Sequence, residues 1–540
     1  MAIAARKVVP PSAATPRYEL GPVLGVGGMG TIHRAYDRLT QQTLAYKRLK
    51  VRDESLRARI TALFQREYDT LARVNHPNVI SAYDYGIDAE GPYYTMELLS
   101  GIDLRAAGTL SVRESCKIMR DVASALALLH ARRLVHRDIS PSNVRVLDGG
   151  SAKLLDFGSL TPFGVASEIV GTVPFIAPES VRKQPLDQRT DLYSLGALMY
   201  WTLTARFPVA VQRLDELSAA WTQPLVRPST YVPDLPGELD ALIVSLLEQD
   251  AALRPANAGA VMERLTNIAQ LEPESNELTV AYSYLKQPPL IGRATMLTEL
   301  HRALNAALAG NGQVAVIEAA RGMGRTAMLD QLAIDAQLAG ATVLRADDVV
   351  NAPLAAARHL VERGLAIFPD QSGAVEELAP QALEPVRSAN EATERHDRLM
   401  RQLSNSLIEL SQRSALVLLI DDVQRIDAAS LGLFASLRLT LPEHPILLLV
   451  SREVGAASAA DDALDRLVEH AACAKLPHLT EPEIHELLSA VFGSVPHRQV
   501  LARWLHAESG GNPAQAMDLA RLLLQRGLVQ YTRGSFVLPH

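Results

Sequence analysis

The sequence predicts two folded units in one chain, a two-lobed α+β unit followed by an α/β unit. Three observations predict it. The 540 residues exceed what one core organises, since domains run to about 150 residues. Short alternating strands give way to long helical patterns in the first half, whereas strand, turn and helix alternate in the second. A stretch rich in Glu and Pro, Leu271 to Pro289, separates the two patterns.

Composition narrows the class. With 48% hydrophobic and 21% charged residues the chain is globular, neither disordered throughout nor collagen-like. Lys and Arg number 53 against 60 Asp and Glu, and a formal charge of −7 is too mild to suggest a nucleic-acid partner. Two cysteines, Cys116 and Cys473, cannot build a disulfide framework or a structural zinc site, which fits a reducing cytoplasm. The strongest apolar runs, Ala415 to Ile420 and Ile446 to Val450, are far short of the roughly 20 residues that span a bilayer, so no membrane partner is expected. Arg6 and Lys7 run into Pro10 and Pro11 without an apolar core, which is not a secretory signal. Residues 1–17 are expected as a disordered tail.

Taken in order, strands are expected at Tyr18–Leu24, Thr31–Asp37 and Gln42–Arg48, separated by Gly-rich or polar turns. Ile60, Leu63, Phe64 and Leu71 recur at helical spacing over Arg57 to Val74, and His76-Pro77 stops that helix. Strands near Val79–Tyr85 and Pro92–Leu98 complete a lobe of sheet plus one helix. After Gly101 the pattern is helical, notably Val112–Ala131 and Asp191–Leu203, which makes a second lobe. Periodicity fades after Leu265. The second unit begins with a helix (Met296–Leu308), a strand (Val314–Glu318), a Gly-containing turn and a helix (Thr326–Leu338). Strands follow near Thr342–Arg345, Ala415–Asp421 and Ile446–Val450. No internal repeat of fixed period is present. The expected limits are 18–266 for the first unit, 267–287 for a linker, 288–475 for the second unit and 476–540 for a helical C-terminal part.

Gly25-Val26-Gly27-Gly28-Met29-Gly30 lies between two expected strands, where glycines let backbone N–H groups approach phosphates. Alone, such a turn is more often only a turn. Lys47 on the third strand and Glu67 on the helix would, alone, be ordinary surface charges. The order of later pieces decides between these readings: His136-Arg137-Asp138 with Asn143, then Asp156-Phe157-Gly158, then Ala177-Pro178-Glu179. With these motifs the chain resembles the eukaryotic-type (Hanks-type) bacterial Ser/Thr protein kinase family over roughly residues 18 to 266.

The resemblance implies a bilobal α+β protein-kinase fold and carries roles onto matching residues. Gly25, Val26, Gly27, Gly28, Gly30, Ile32 and Ala45 would surround ATP, with Met96 and Glu97 at the adenine-binding hinge. Lys47 would bind phosphates and pair with Glu67. Asp138 would accept the substrate hydroxyl proton, and Asn143 and Asp156 would hold Mg2+. Glu179 would pair with Arg254, and Asp191 would brace the catalytic loop. Gly171-Thr172 points to the Ser/Thr class of acceptor. One position departs from the family: Ser140 stands where most Ser/Thr kinases carry Lys, and a lone ammonium on a transferring phosphoryl is worth roughly 10²-fold in rate. Four residues before Thr172, Glu168 takes the usual phosphosite, so its carboxylate is expected to pair with Arg137, with Ser167 and Thr161 as conventional phosphosites.

In the second unit Leu290-Ile291-Gly292-Arg293 precedes a helix, and Ala319 to Thr326 lie between a strand and a helix. This is a degraded phosphate loop: Gly324 and Thr326 stand, but Ala319 replaces the first Gly and Arg325 replaces Lys. Leu416 to Asp422 read as a buried strand ending in two carboxylates. With Gly510-Gly511-Asn512-Pro513 these pieces resemble the AAA-type module of bacterial signal-transduction ATPases, over roughly 288 to 540. The resemblance implies an α/β P-loop (AAA-like) domain with a small helical, winged-helix-like C-terminal part. Gly322, Gly324, Arg325, Thr326, Asp421 and Asp422 would meet nucleotide, with poor hydrolysis because the guanidinium crowds the phosphate cradle.

Trp201 and Trp221 are read as packing residues and Cys116 as an inert buried thiol. The resulting expectation is a cytoplasmic, ATP- and Mg2+-dependent Ser/Thr protein kinase in bacterial signal transduction, regulated by a fused, degenerate ATPase-like sensor. Its partners would be Ser/Thr-bearing proteins, itself included. The alternative is a catalytically weak pseudokinase or nucleotide-binding scaffold. The stop soon after Gly511-Asn512-Pro513 reads as a chain that is shortened or a fragment.

Overall fold

The computed structural model describes residues 17–27, 30–51, 57–88, 90–166, 168–272, 277–286, 288–346, 352–368, 389–493, 495–532 and 535–538. The first lobe is an antiparallel sheet of β1 (Tyr18–Val26), β2 (Gly30–Asp37), β3 (Gln42–Leu49), β4 (Ala82–Asp88) and β5 (Gly91–Met96), ordered β1-β2-β3-β5-β4. One helix, α1 (Arg57–Ala72), packs on it through Phe64, Tyr68 and Leu71, with the Phe64 ring 5.0 Å from that of Tyr94 and the Tyr68 ring 5.3 Å from that of Tyr85. The expected strand at Val79 starts later, at Ala82. Val79 instead bridges Leu154, and Ile80 N–H donates to the Leu154 carbonyl, so these apolar residues join the two lobes.

Residues 1–16 of the expected tail lie outside the described residues. Arg17 is not loose: its guanidinium donates to Asp37 at 2.9 Å and Asp84 at 2.6 Å, pinning the start of β1 across the sheet.

The second lobe is built on α2 (Val112–Ala131) and α3 (Gln188–Thr204). Ser111 and Glu114 close a capping box at the start of α2, and Asp187 caps α3. Almost every residue from Thr190 to Leu203 is buried, as expected of a helix apolar on all sides.

The linker expectation needs correction. Residues 273–276 and 287 lie outside the described residues, but Glu277–Lys286 forms helix α4, with Val280, Ala281, Tyr284 and Leu285 buried. Its polar flanks suggested a tether. Four apolar side chains on one helical face instead make it a seam: the Tyr284 ring meets His76 of the first unit edge-on at 6.4 Å and Phe536 near the C-terminal end edge-on at 5.3 Å.

The second unit contains α5 (Ala294–Leu308), β6 (Gln313–Ala319), α6 (Arg325–Leu338), β7 (Thr342–Ala346), β8 (Leu416–Ile420), β9 (Ile446–Glu453) and β10 (Ala472–Lys475). The five strands are parallel in the order β7-β8-β9-β6-β10. Alternate residues feed two layers: Leu416, Leu418 and Ile420 pack on one face, Val417 and Leu419 on the other. β6 lies between strands reached by opposite excursions of the chain, so the loop after it opens at a switch point of the sheet. The C-terminal part is α7 (Glu481–Phe492), α8 (Arg498–Ser509), α9 (Pro513–Gln525) and a hairpin of Gln530–Thr532 with Ser535–Val537.

Candidate active site and second phosphate loop

The glycine turn joins β1 to β2, where Gly27 N–H donates to the Gly30 carbonyl at 2.8 Å. A side chain at Gly30 would collide with the Arg48 carbonyl on β3, so the strand crossing itself demands glycine. Gly25 and Val26 end β1, Ile32 lies half-buried on β2, and Ala45 pairs with Met96 in register, both buried. Gly28 lies outside the described residues. Glu97 follows Met96; its Oε1 accepts from Ser81 N–H at 2.9 Å and Lys153 Nζ at 2.5 Å, and its own N–H donates to the Ser81 carbonyl at 2.9 Å, which fixes the residue at the hinge.

Lys47 on β3 and Glu67 on α1 form the buried ion pair of this lobe, with Nζ 2.7 and 2.8 Å from the two carboxylate oxygens. Burial works against the ammonium, but the charges of Glu67 and Asp156 outweigh it and hold Lys47 well above its ordinary pKa.

Across the lobe boundary, Asp191 at the start of α3 accepts the N–H groups of His136 and Arg137, each at 2.8 Å, and His130 Nε2 at 2.9 Å. That carboxylate fixes the loop carrying Asp138. Asn143 Nδ2 donates at 2.9 Å to the carbonyl and to Oδ2 of Asp138, while Thr172 N–H and Oγ1 donate to Oδ1 at 2.9 and 2.8 Å. With its NH2 committed to Asp138, the Asn143 amide presents its oxygen as an acceptor. Asp156 adopts φ +57°, and Phe157 behind it is fully buried with its ring 5.1 Å from His136. Lys47, Glu67, Asp138 and Asn143 are thus held by one another or by other parts of the fold, and Asp156 Oδ1 accepts the Gly158 N–H at 3.2 Å. Ser140 is buried with Oγ 3.1 Å from Ser142 Oγ, a neutral pair at the departing position.

The Glu179–Arg254 pair is formed at 2.7 and 2.8 Å and is buried. Trp221 is buried and its indole N–H meets Tyr193 Oη at 3.0 Å, whereas Trp201 is only half-buried. Burial pushes the Cys116 thiol up to about 11, away from the reactive thiolate.

The Glu168 expectation is corrected. Arg137 Nη1 meets the backbone carbonyl of Glu168 at 3.1 Å, and the Glu168 carboxylate pairs with Arg59 on α1 instead. Arg137 is already turned inward by its Nε bond to the Ser159 carbonyl at 2.7 Å, which leaves the carboxylate to the exposed cation across the cleft. Thr161 sits in a short strand paired with Val135, and Ser167 lies outside the described residues.

In the second unit the loop after β6 turns through Gly322 (φ +83°) and Gly324 (φ +93°) into α6. Asn512 latches it: Nδ2 donates to the Arg321 carbonyl at 2.9 Å, and Ala514 N–H donates to the Gly322 carbonyl at 3.1 Å. A Cβ at Gly322 would lie 2.8 Å from Asn512 Oδ1. Arg325 is only 9% exposed; it donates to the Ala319 carbonyl at 2.7 Å, Asp422 at 2.6 Å and Glu453 at 3.1 Å. Thr326 Oγ1 donates to Asp421 at 2.6 Å, and Ser451 donates to Asp421 as well. Beside this loop is a cavity of about 330 Å³ lined by Leu290, Ile291, Leu479, Leu487 and Met517. Arg293 is buried at its wall, with Nη1 lacking a hydrogen-bond partner among the described residues.

Glu453, Asn512 and Arg293 were not singled out as site residues from sequence. Glu453 ends β9, and the rule that α/β sheets bind ligands at the carboxyl ends of strands was the available signal.

Comparison with known proteins agrees with both halves. Residues 18–265 match the protein kinase domain model and residues 289–450 the AAA ATPase domain model. A probable serine/threonine-protein kinase of Streptomyces coelicolor is 34% identical over 268 residues, covering 45% of this chain and 38% of that protein. A probable serine/threonine-protein kinase PknB of Bifidobacterium longum is 33% identical over 281 residues, 46% and 39% of the two chains. The serine/threonine-protein kinase PknB of Mycobacterium tuberculosis is 30% identical over 285 residues, 49% and 44% of the two chains. The chain thus spans less than half the length of these curated relatives. Among the described residues no helix is long and apolar enough to cross a membrane. Two domains of ATP-binding families are joined here: a protein kinase domain of the bacterial serine/threonine type and, behind it, an AAA ATPase domain.

Proposed function

We propose that this chain is an ATP-dependent serine/threonine protein kinase of bacterial signal transduction, acting in the cytoplasm, with its output governed by the fused ATPase-like domain. The observation that carries the reading is Asp138, held by Asn143 and Thr172 in the same cleft as the closed Lys47–Glu67 pair. Under the turn from Gly25 to Gly30, the ATP phosphates meet Lys47, whose ammonium persists through any physiological pH. Asp138 takes the proton of a serine or threonine hydroxyl as its oxygen attacks the γ-phosphorus, and the bond to the ADP oxygen breaks. The Asn143 amide oxygen and the Asp156 carboxylate are hard oxygen donors that suit Mg2+. Bound there, Mg2+ would neutralise the charge that develops on the phosphates. Substrates are proteins bearing Ser or Thr, and the chain itself is one candidate.

For the second domain the same reading is binding with little turnover. The apolar cavity between Leu290 and Met517 suits a nucleotide base, and the buried Arg293 Nη1 at its wall offers a donor. Hydrolysis is disfavoured because Arg325 neutralises Asp422 and Glu453, and Asp421 already accepts from Thr326 and Ser451. One observation favours the alternative scaffold reading: the neutral Ser140–Ser142 pair where a cation would meet the γ-phosphate. The deciding experiment incubates the full chain with labelled ATP, Mg2+ and a generic basic protein. Transfer that Asp138→Ala lowers by roughly 10³-fold is expected; no transfer from wild type, matching Asp138→Ala, leaves the scaffold.

A further inference from the structure

Helix α6 has two ends with different neighbours. Its first residues, Arg325 and Thr326, belong to the second domain's phosphate loop. Its last residues lie against the first domain: the Leu338 carbonyl accepts from Gln65 Nε2 at 2.8 Å, and Gln337 Oε1 accepts from Tyr68 Oη at 3.0 Å. Asp335 lies 3.6 Å from Arg73, and Ile334 and Leu338 pack on the apolar cluster that contains Phe64, Tyr68 and Leu71 of the first domain. Gln65, Tyr68 and Arg73 all sit on or just past α1, the helix that carries Glu67.

The contact falls at a sensitive place. Glu67 faces β3 and holds Lys47, while Tyr68, the next residue, is buried with its ring against Tyr85 of the sheet and its hydroxyl within reach of two acceptors, the Tyr83 carbonyl at 3.2 Å and Gln337 Oε1 at 3.0 Å. Rotation or outward travel of α1 by one or two ångströms breaks both the Lys47 pair and the contacts to α6, since hydrogen bonds weaken steeply beyond about 3.2 Å. A 14-residue helix is a rod of about 21 Å, so α6 transmits displacement rather than absorbing it.

We propose that α6 positions α1, making Gln337 and the Leu338 carbonyl positioning elements for phosphoryl transfer in the first domain. This rests on the kinase reading above and gives the regulation a physical path: whatever engages Arg325 at one end of α6 acts on the Glu67 helix at the other.

The test uses the full chain with Gln337→Leu, Gln65→Leu and Gln337→Glu, the last keeping an acceptor for Tyr68. Expected is a fall in kcat of about five- to tenfold for each Leu variant and near wild-type kcat for Gln337→Glu. In a Glu67→Gln background the Leu substitutions should cost nothing further, because the pair they support is already gone. Equal losses in both backgrounds, or Leu variants with wild-type kcat, overturn the proposal. Hydrogen exchange over residues 57–72 reads α1 without any transfer: protection should fall in the Leu variants and hold in Gln337→Glu, and unchanged protection in the Leu variants also overturns it. A wild-type chain that transfers nothing yet shows this exchange pattern overturns the kinase reading and leaves the positioning of α1 standing.

Discussion

Two cations in this chain stand where a phosphate is expected, and their surroundings differ. Lys47 is held by one partner, Glu67, at 2.7 and 2.8 Å, and a compact ammonium keeps a further donor direction for a phosphate. Arg325 is held by three groups, the Ala319 carbonyl, Asp422 and Glu453, within 3.1 Å. Both terminal nitrogens of the planar guanidinium are turned onto protein acceptors, Nη1 to the Ala319 carbonyl and Nη2 to the two carboxylates. The same charge type therefore does not make the same site: what differs is the protein acceptors that already hold the cation, one carboxylate at Lys47 and a carbonyl with two carboxylates at Arg325.

Exchanging the two side chains is the strongest way to break this comparison. Lys47→Arg should lower phosphoryl transfer by about 10²-fold or more, through kcat, because the fork cannot keep Glu67 and reach a phosphate together. Initial rates against ATP concentration check it, and a variant within threefold of wild type would sink the argument from donor geometry.

The comparison also extends to the seam that fastens the two domains. His76 is buried against Tyr284 of α4 and accepts Asn78 N–H at 3.1 Å; burial, aided by Lys153 and Arg132, pushes its pKa down to about 3. An unfolded chain protonates this histidine near 6.5, so its contribution is complete above that pH and is lost as pH falls toward 3. At pH 5 the loss is about 2 kcal/mol. Asp121, pushed up to about 6 by burial, acts in the opposite direction, so the measure is a difference. Denaturation of wild type and His76→Asn at pH 7 and pH 5 should show a smaller drop in the variant; parallel drops would remove His76 from the account.

Arg325→Lys should make the second site resemble the first. With Asp422 and Glu453 partly released, hydrolysis by an Asp138→Ala chain, which silences transfer in the first domain, is expected to rise about tenfold. Ordinary ATPase rates already present with Arg325 would contradict the reading of a cation tied to Asp422 and Glu453.

The smallest effect is expected at Glu168. Its pair with Arg59 leaves both side chains about half exposed, and such pairs are worth under about 1 kcal/mol. Glu168→Gln should therefore slow initial rates by less than about fivefold. A larger loss would give this carboxylate the role of a loop phosphate, acting through α1 rather than Arg137.

Much of the molecule was legible in the residues alone, for a physical reason. Strand and helix periods, the stops at His76-Pro77, and the motifs around Asp138 and Asp156 are contiguous, because backbone preference and loop geometry act over a few residues. The Lys47–Glu67 and Glu179–Arg254 pairs were reached through family resemblance, which supplies distant partners that spacing does not. Tertiary structure alone decided the rest. Arg325 meets Glu453 across 128 positions, Gln65 meets Leu338 across 273, and α4 became a buried seam because aromatic residues from both ends of the chain converge on Tyr284. The Glu168 carboxylate, expected on Arg137 only 31 positions away, pairs with Arg59 instead, because the Arg137 guanidinium is turned toward the Ser159 carbonyl and meets only the Glu168 backbone. Sequence determines which groups are available within a few turns of chain; which of them meet depends on packing summed over the whole fold.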